Sequence, residues 1–414
     1  MTHSCIIPMP LKMVPLDSSV PGLVGDICAQ ARRACLLAFA DGVRSIVLTG
    51  SLARNEGTFV SAAGGSELIG DAEFVVVLRD DVYLPSPAVV ADLCRRVESA
   101  LLPAGLKARV SAAVVHDRFL RRMTPHMFAF ELRACGVVIW GEPRILELVP
   151  RFAASAISLE DAWWTLCNRS IEALEAIALA DTDQPMVPRD VFYRVVKLYL
   201  DMATSLLLFV GGYEPGYASR SQRLSSFAAQ DAGTADIPLP LRDLSRHVAA
   251  CTDWKLAPDQ AFECGASWNW CMLGLEYAAR LWRWELLQLT GASHTNSNEQ
   301  LMANWMRRQP LARRLRGWLY VWRECGWLHS LPHWPHWARL ARRGSPRYWI
   351  YAVLGDLLPQ AAGGVGASDA LLQRRWESLP LVRRHAPQDG APRWRRLAKD
   401  VAADYHRFLE HTRA

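Results

Sequence analysis

Over the first 150 residues, the spacing of apolar and polar positions predicts a mixture of helices and strands. Residues 21 to 42 have apolar residues at helical spacing, begin at Pro21 and end at Gly42, as a helix does. The runs "SIVLTG", "AEFVVVL" and "KARVSAAVV" predict buried strands, and "SPAVVADLCRRVESALLPAG" predicts a helix with a serine cap. The segment "MFAFELRACGVVIWGE" predicts two more short strands that turn at Cys135-Gly136.

Beyond residue 150 the pattern becomes helical. "SLEDAWWTLCNRSIEALEAIALA" opens with a Ser-x-x-Asp capping pattern, and "PRDVFYRVVKLYLDMATSLLLFVGG" is a long apolar helix stopped by two glycines. The polar segment "GASHTNSNEQ" precedes a second helical zone, rich in tryptophan and arginine. We therefore predict an α+β fold: a domain with a mixed β-sheet and helices over 1–150, a helical domain over 151–295, and a Trp/Arg-rich helical region over 296–414.

Composition places the chain among ordinary globular proteins, with 51% hydrophobic and 21% charged residues. No apolar run reaches the roughly eighteen residues that a membrane span requires, and the N-terminal stretch "MTHSCIIPMPLKMVPLDSS" lacks the pattern of a signal peptide. We therefore expect a cytoplasmic protein. The ten cysteines have no paired CxxC spacing, which favours reduced, buried thiols over a disulfide framework or a zinc site.

The net charge of +6 is unevenly distributed. Between residues 301 and 347 ten arginines stand against one acid, Glu324, and six tryptophans are interleaved with them. Guanidinium groups bind phosphate or carboxylate and indole rings stack, so this zone can bind an anionic polymer, such as RNA or an acidic saccharide, or a membrane surface. The alternative is a helical domain with core tryptophans and solvated arginines.

The stretch "IVLTGSLARNEGTF" contains the most specific chemical signal. Its apolar run stops at Gly50-Ser51, and a later strand begins with Asp71-Ala72-Glu73. Side chains two apart in a strand share a face, and two adjacent carboxylates repel unless a cation joins them, which favours Mg²⁺. Gly50 allows the backbone to approach a phosphate closely, and Ser51 adds a hydroxyl and an N–H where a helix would start. Together these residues can hold a nucleoside triphosphate on a metal.

"GSLARNE" followed by "GDAEFVVVL" resembles the motif of the nucleotidyltransferase superfamily, with its DNA polymerase beta-like fold. The form Gly-Ser-x-Ala-Arg-x-Glu is especially similar to the bacterial minimal-type nucleotidyltransferases. The resemblance covers about residues 40–145 and implies a helical C-terminal extension. It implies that an acceptor hydroxyl attacks the α-phosphate of a nucleoside triphosphate and that pyrophosphate leaves.

The resemblance also implies roles for individual residues. Gly50 and Ser51 would contact the triphosphate, and Asp71 and Glu73 would bind one or two magnesium ions. Arg54 would lie near phosphate or steady the loop together with Glu56. Arg54 and Glu56 also fit a simple surface ion pair. Arg169, Lys197 and Asp201, on the two long helices, are candidates for the acceptor-site wall or for ordinary helix-surface positions.

Two departures from the family pattern are visible. The gap between Ser51 and Asp71 is lengthened by "VSAAGGSELI", a Gly-rich excursion. The strand expected to carry a third carboxylate reads "KARVSAAVV", with Ser111 near that point. Glu131, from a neighbouring strand, is the candidate replacement, and Asp117 is a poorer one. Two hypotheses follow: a magnesium-dependent nucleotidyltransferase acting on an unidentified acceptor, or a nucleotide-binding regulatory or scaffold protein whose catalytic residues have decayed.

Overall fold

The computed structural model describes residues 22–62, 64–230, 236–262, 264–326, 330–363, 369–381 and 392–408. The N-terminal stretch in which no signal peptide is expected lies outside these residues, as does Trp327. Five strands are present in the described part: β1 Val43–Thr49, β2 Thr58–Ala62, β3 Gly65–Leu78, β4 Leu106–His116 and β5 Val137–Gly141. The fold is α+β, as the hydrophobic pattern predicts.

Most of the other described residues lie in helices, which turns and loops connect. In the N-terminal part they are α1 Leu23–Phe39, α2 Gly50–Ala53, α3 Pro87–Leu101, α4 Asp117–Arg121 and α5 Met127–Cys135. The later helices are α6 Leu159–Leu179, α7 Arg189–Phe209, α8 Tyr217–Ala228, α9 Leu241–Leu256, α10 Trp268–Thr290, α11 Asn298–Arg308, α12 Leu311–Cys325, α13 Trp334–Ala341, α14 Pro346–Ala361, α15 Asp369–Trp376 and α16 Arg393–Phe408. The two long helices predicted from the sequence, α6 and α7, are confirmed.

The chain divides into two compact units. The first holds Met1–Ser158 together with two later segments, Tyr213–Arg220 and Thr252–Ala261. The second holds Leu159–Gly212, Ser221–Cys251 and Phe262–Ala414. The second unit therefore contains residues from both of the helical zones that the sequence separates near residue 295.

The sheet of the first unit is mixed, as predicted. β1 runs antiparallel to β3 and to β5, β2 runs antiparallel to the first part of β3, and β4 runs parallel to β3. The long strand β3 is thus the centre of the sheet. Register along β3 determines which residues of three other strands lie beside it.

Each face of the sheet is covered by different helices. Ala72, Phe74 and Val76 face α1 and α3 and pack with residues such as Ile27 and Leu93. Val75 and Val77 face the other way and pack with residues of α4, α5 and the following segment. This alternation follows from the two-residue period of a strand, and each apolar face is buried by helices with one apolar side.

Two local predictions in this unit are wrong. The predicted Gly-rich excursion is a β-hairpin, in which Thr58–Ala62 pairs with the start of β3 and Ala62 lies opposite Gly65. The segment predicted as a strand before Cys135 is the helix α5, Met127–Cys135, which places Glu131 on a helix. The side chain of His126 accepts a hydrogen bond from Ala129 N at 3.1 Å and caps this helix, a role that the alternating apolar pattern does not reveal.

The nine cysteines within the described residues are free thiols, in agreement with the sequence prediction. No helix in the described ranges is long and apolar enough to cross a bilayer.

Candidate functional site

The turn at Gly50-Ser51 follows directly from the end of β1. Gly50 has φ +68°, in the left-handed region that favours glycine. A Cβ built on Gly50 would lie 2.7 Å from Glu73 Oε2, which is inside contact distance. Two independent features therefore favour glycine at position 50: the left-handed backbone conformation and the closeness of the Glu73 carboxylate. The helix that follows, α2, has only four residues, so phosphate contacts at this turn would come from backbone N–H groups and the Ser51 hydroxyl.

Asp71 and Glu73, the acid pair, lie on the same face of β3. Glu73 is the register partner of Thr49, the last residue of β1, so the acid pair lies beside the Gly50-Ser51 turn. Asp71 is exposed and Glu73 is half-buried. Within the described residues, the side chain of Asp71 has no hydrogen-bond or ion-pair partner. The carboxylate oxygens of Asp71 and Glu73 are ligands that fit a hard divalent cation such as Mg²⁺. They lie beside the Gly50-Ser51 turn, at a place that a Cβ on residue 50 would fill.

The location of the acid pair on the sheet explains its accessibility. Further along the same face of β3, Val75 and Val77 are buried beneath α4 and α5. At Asp71 the face is open to solvent. The acid pair thus lies where the helices that cover this face end. The strand is packed in the core on the Val75 side of the pair, and on the Asp71 side it is accessible to a ligand.

The neighbouring strand β4 does not supply a third carboxylate. Ser111 is the register partner of Glu73, and Arg109 is the register partner of Asp71. Asp117 follows the other end of β4 and pairs with Arg44, near the start of β1. Asp117 therefore lies at the end of the sheet away from the acid pair.

Arg54, predicted to contact phosphate or to steady the loop, is engaged by two carboxylates. Its Nε donates to Glu56 Oε2 at 2.8 Å, and an NH1 nitrogen donates to Glu131 Oε2 at 2.7 Å. The side chains of Arg54 and Glu56 are each only 8% exposed, so this is a buried pair rather than a surface one. Burial disfavours the charged guanidinium, but Glu131, Tyr217 and Glu56 outweigh that effect and raise the pKa of Arg54 above its usual value. The second of its two predicted roles, steadying the loop, fits this geometry.

Glu131 and Glu56 each have further partners in the same unit. The Tyr213 hydroxyl donates to Glu131 Oε1 at 2.5 Å, and Arg220 NH1 lies 3.6 Å from that oxygen. The Tyr217 backbone N–H donates to Glu56 Oε1 at 2.6 Å. We refer to these residues as the Arg54 cluster: Arg54, Glu56, Glu131, Tyr213, Tyr217 and Arg220.

No pattern in the sequence indicates that the segments Tyr213–Arg220 and Thr252–Ala261 belong to this unit. Lys255 is buried, and its Nζ donates to the Thr58 hydroxyl at 3.0 Å. The cationic groups of Arg54, Arg220 and Lys255 lie 4.7–5.3 Å from the centre of the Tyr217 ring, within cation–π distance. The Lys255–Thr58 hydrogen bond joins residues 197 positions apart, which no local motif could have indicated.

Glu131 does not complete a metal site with the acid pair. In the ranges that the structure describes, no group of three or more His, Cys, Asp or Glu side chains is placed to hold a metal ion. The hydrogen bonds that Glu131 accepts from Arg54 and Tyr213 give it a different environment, in which it neutralises buried positive charge.

In the Trp/Arg-rich region between residues 301 and 347, two of the described tryptophans lie in the core and two others, Trp305 and Trp322, are half-buried. Trp318 and Trp337 are buried, and their indole N–H groups donate to the carbonyl oxygens of Gly344 and Pro380 at 2.9 and 2.7 Å. Trp334 is the exception among these, at 50% exposed. The large exposed apolar residues of α12 are leucines, at positions 311, 315 and 319, and seven of the ten arginines between residues 301 and 347 are exposed. The core interpretation holds for Trp318 and Trp337, while exposed arginines leave a basic surface.

Comparison of the chain with protein-family models, with curated proteins and with solved structures finds no match in any of the three. The functional argument therefore depends on the geometry of the site itself.

Proposed function

We propose that the N-terminal unit is a magnesium-dependent nucleotidyltransferase domain that moves a nucleoside monophosphate from a nucleoside triphosphate to a hydroxyl acceptor. The observation that carries the proposal is the Gly50 turn, whose missing Cβ leaves room for the Glu73 carboxylate. Asp71 adds a second carboxylate on the same face, at the open edge of the helical cover. This arrangement provides cation ligands and phosphate donors side by side.

Each residue of this site would have a separate task. Backbone N–H groups at Gly50-Ser51 and the Ser51 hydroxyl would bind phosphate oxygens, and Asp71 and Glu73 would hold magnesium. When bound, Mg²⁺ neutralises charge on the triphosphate and on the oxygens of the transferred phosphoryl group. An acceptor oxygen then forms a bond to the α-phosphorus, the bond to the pyrophosphate oxygen breaks, and the acceptor proton leaves to solvent. Positioning and charge stabilisation would supply most of the catalysis.

The alternative function is nucleotide binding without transfer, in a regulatory or scaffold role. One specific observation favours it: β4 carries Arg109 and Ser111 beside the acid pair, and Glu131 is engaged in the Arg54 cluster. A site with two carboxylates can hold a metal nucleotide and still lack a group that activates the acceptor.

Turnover distinguishes these two functions. Purified protein would be incubated with Mg²⁺, α-labelled nucleoside triphosphates and cell extract as the source of acceptor. Label transfer that disappears in an Asp71→Ala/Glu73→Ala variant supports the transferase. Nucleotide binding without label transfer supports the alternative, and label transfer that persists in the double variant contradicts both.

A cytoplasmic location and an anionic partner for residues 296–414 are separate parts of the proposal. Free cysteine thiols in the described chain and a triphosphate substrate are typical of the cytoplasm. The exposed arginines of α11 and α12 provide a basic surface for a phosphate-bearing polymer or an acidic saccharide. Because Trp318 and Trp337 are buried, such binding would depend on charge and would weaken with salt.

A further inference from the structure

Arg109 occupies the place on β4 beside the acid pair. It is the register partner of Asp71 on the parallel strand β3, and Ser111 is the partner of Glu73. Register partners on neighbouring strands direct their side chains to the same face of the sheet. The exposure of the side chains agrees with this orientation. Positions 109 and 111 of β4 are exposed, whereas the adjacent Ala108 is buried against the opposite face of the sheet.

Arg109 differs from Arg54 in its partners. Arg54 is buried and donates to Glu56 and Glu131. The side chain of Arg109 is exposed, and no side-chain hydrogen bond or ion pair joins it to any residue in the described part of the chain. Asp71 is also without a partner there, although the two residues are side by side. A cation and an anion that share a face and do not pair are both left to interact with a ligand.

The chemistry of this face fits a magnesium triphosphate. A triphosphate carries several negatively charged oxygens. A divalent ion that is held by two carboxylates contacts only some of them. A guanidinium group binds phosphate oxygens through forked N–H donors, and charge-assisted hydrogen bonds of this kind are about twice as strong as neutral ones. The acid pair and Arg109 therefore have complementary tasks on one ligand, the first through the metal and the second directly.

We propose that Arg109 is the arginine that binds the triphosphate of the nucleotide, and that Arg54 is a positioning residue that supports the Gly50-Ser51 turn. This inference rests on the proposed function, because it assigns a ligand contact within the same site. Of the two roles that the sequence motif suggests for Arg54, contact with phosphate or steadying of the loop with Glu56, it takes the second.

The test is calorimetric titration of Mg-ATP into the wild type, Arg109→Ala, Arg109→Lys and Arg95→Ala. Arg95 is an exposed arginine on α3, the helix that covers the opposite face, and is the matched control for loss of one positive charge. We expect the Kd of Arg109→Ala to rise by about tenfold or more, since a hydrogen bond to a charged group is lost. Arg109→Lys keeps the charge without the fork and should lie between the wild type and Arg109→Ala. Arg95→Ala should bind like the wild type.

Thermal unfolding of the same variants separates binding from folding. Because the Arg109 side chain is exposed and unpaired in the described chain, we expect the unfolding midpoint of the Arg109→Ala variant to stay near that of the wild type. Equal Kd values for wild type and Arg109→Ala, with wild-type binding still dependent on Asp71 and Glu73, would overturn the role of Arg109 and leave the proposed function standing. Absence of Mg-ATP binding by the wild type would overturn both.

Discussion

Two groups of charged residues in the N-terminal unit differ in how their charges are satisfied. In the Arg54 cluster, buried carboxylates and guanidinium groups bind one another, as Arg54 does with Glu56 and Glu131. On the open face of β3, Asp71 and Arg109 are exposed and have no partners within the described residues. The charges of the Arg54 cluster are satisfied within the fold, whereas those of Asp71 and Arg109 face solvent, where the proposal places the ligand.

Several arginines of the helical unit follow the first pattern. Arg169, once a candidate for the acceptor-site wall, donates through Nε to Asp201 at 2.8 Å and also pairs with Glu172. Arg347 and Arg313 lie 4.3 and 4.9 Å from the Trp164 ring centre. These charges are engaged within the unit, so the open face of β3 stands out by contrast.

The largest expected effect comes from breaking the Arg54 cluster. Arg54→Ala would leave Glu56 and Glu131 buried with less compensating charge, and loss of one partner of a buried pair costs about 3–5 kcal/mol. Chemical denaturation should show a free energy of unfolding lower by about that amount. Arg95→Ala on α3 is the control and should change it by less than about 0.5 kcal/mol. Similar stabilities for the two variants would contradict a structural role for Arg54.

The next effect tests the cradle at Gly50. Gly50→Ala would force an L-residue into a left-handed conformation, at a cost of about 1–2 kcal/mol, and would place a Cβ against the Glu73 carboxylate. We expect lower stability together with loss of magnesium-dependent nucleotide binding, measured by calorimetry. Gly211→Ala is a matched control, because Gly211 also has positive φ but has no atom within 4 Å of a built Cβ. Intact nucleotide binding by the Gly50→Ala variant would contradict a role of the Gly50-Ser51 turn in binding the nucleotide.

A smaller effect is expected from Glu285, a carboxyl group in the core of the helical unit. Burial raises its pKa well above the usual value, so the folded protein retains a proton that the unfolded chain releases above pH 4.5. Its contribution to stability is therefore full below that pH and declines as the pH rises toward the folded pKa. Glu285→Gln removes this dependence and should be more stable than the wild type by on the order of 1 kcal/mol at about pH 8. Urea denaturation at about pH 5 and pH 8 would measure it, and a difference that does not grow with pH would contradict a neutral buried carboxyl.

The smallest effect on stability is expected on the basic surface of α12. Arg316 and Arg323 are exposed, and replacing both with alanine should change the free energy of unfolding by less than about 1 kcal/mol. Retention of the full chain on a heparin column should nevertheless fall, with elution at lower salt than the wild type. Arg95→Ala/Arg96→Ala on α3 is the charge-matched control. Equal elution of both double variants would argue against a specific anionic surface on α12.

The sequence was sufficient for most of the sheet because its strands are strongly patterned. The apolar run before Gly50 and the strand that carries Asp71 and Glu73 lie as predicted, and their pairing brings the motif together. The hairpin formed by β2 could have been found from the Gly64-Gly65 pair, since Gly-Gly between two apolar runs is a hairpin signal.

The helix that carries Glu131 could not be distinguished from a strand by pattern alone. In nine residues, apolar positions at 128, 130 and 132 fit a two-residue period, and short segments do not separate this from a helical period. The contacts of Glu131 with Tyr213 and Arg220 depend on tertiary structure across more than 80 positions. The acid pair was therefore predictable, and the cluster that supports the turn beside it was not.

The most direct test of the account is calorimetric titration of ATP, GTP, CTP and UTP, each with magnesium, into the wild type and into Asp71→Ala/Glu73→Ala. Asp80→Ala/Asp81→Ala, at the other end of β3, removes the same charge and serves as the control. We predict magnesium-dependent binding of at least one triphosphate to the wild type and to the control, and its loss in the Asp71/Glu73 variant. Binding that survives in that variant, or no binding to the wild type, would contradict the assignment of this face as a metal–nucleotide site.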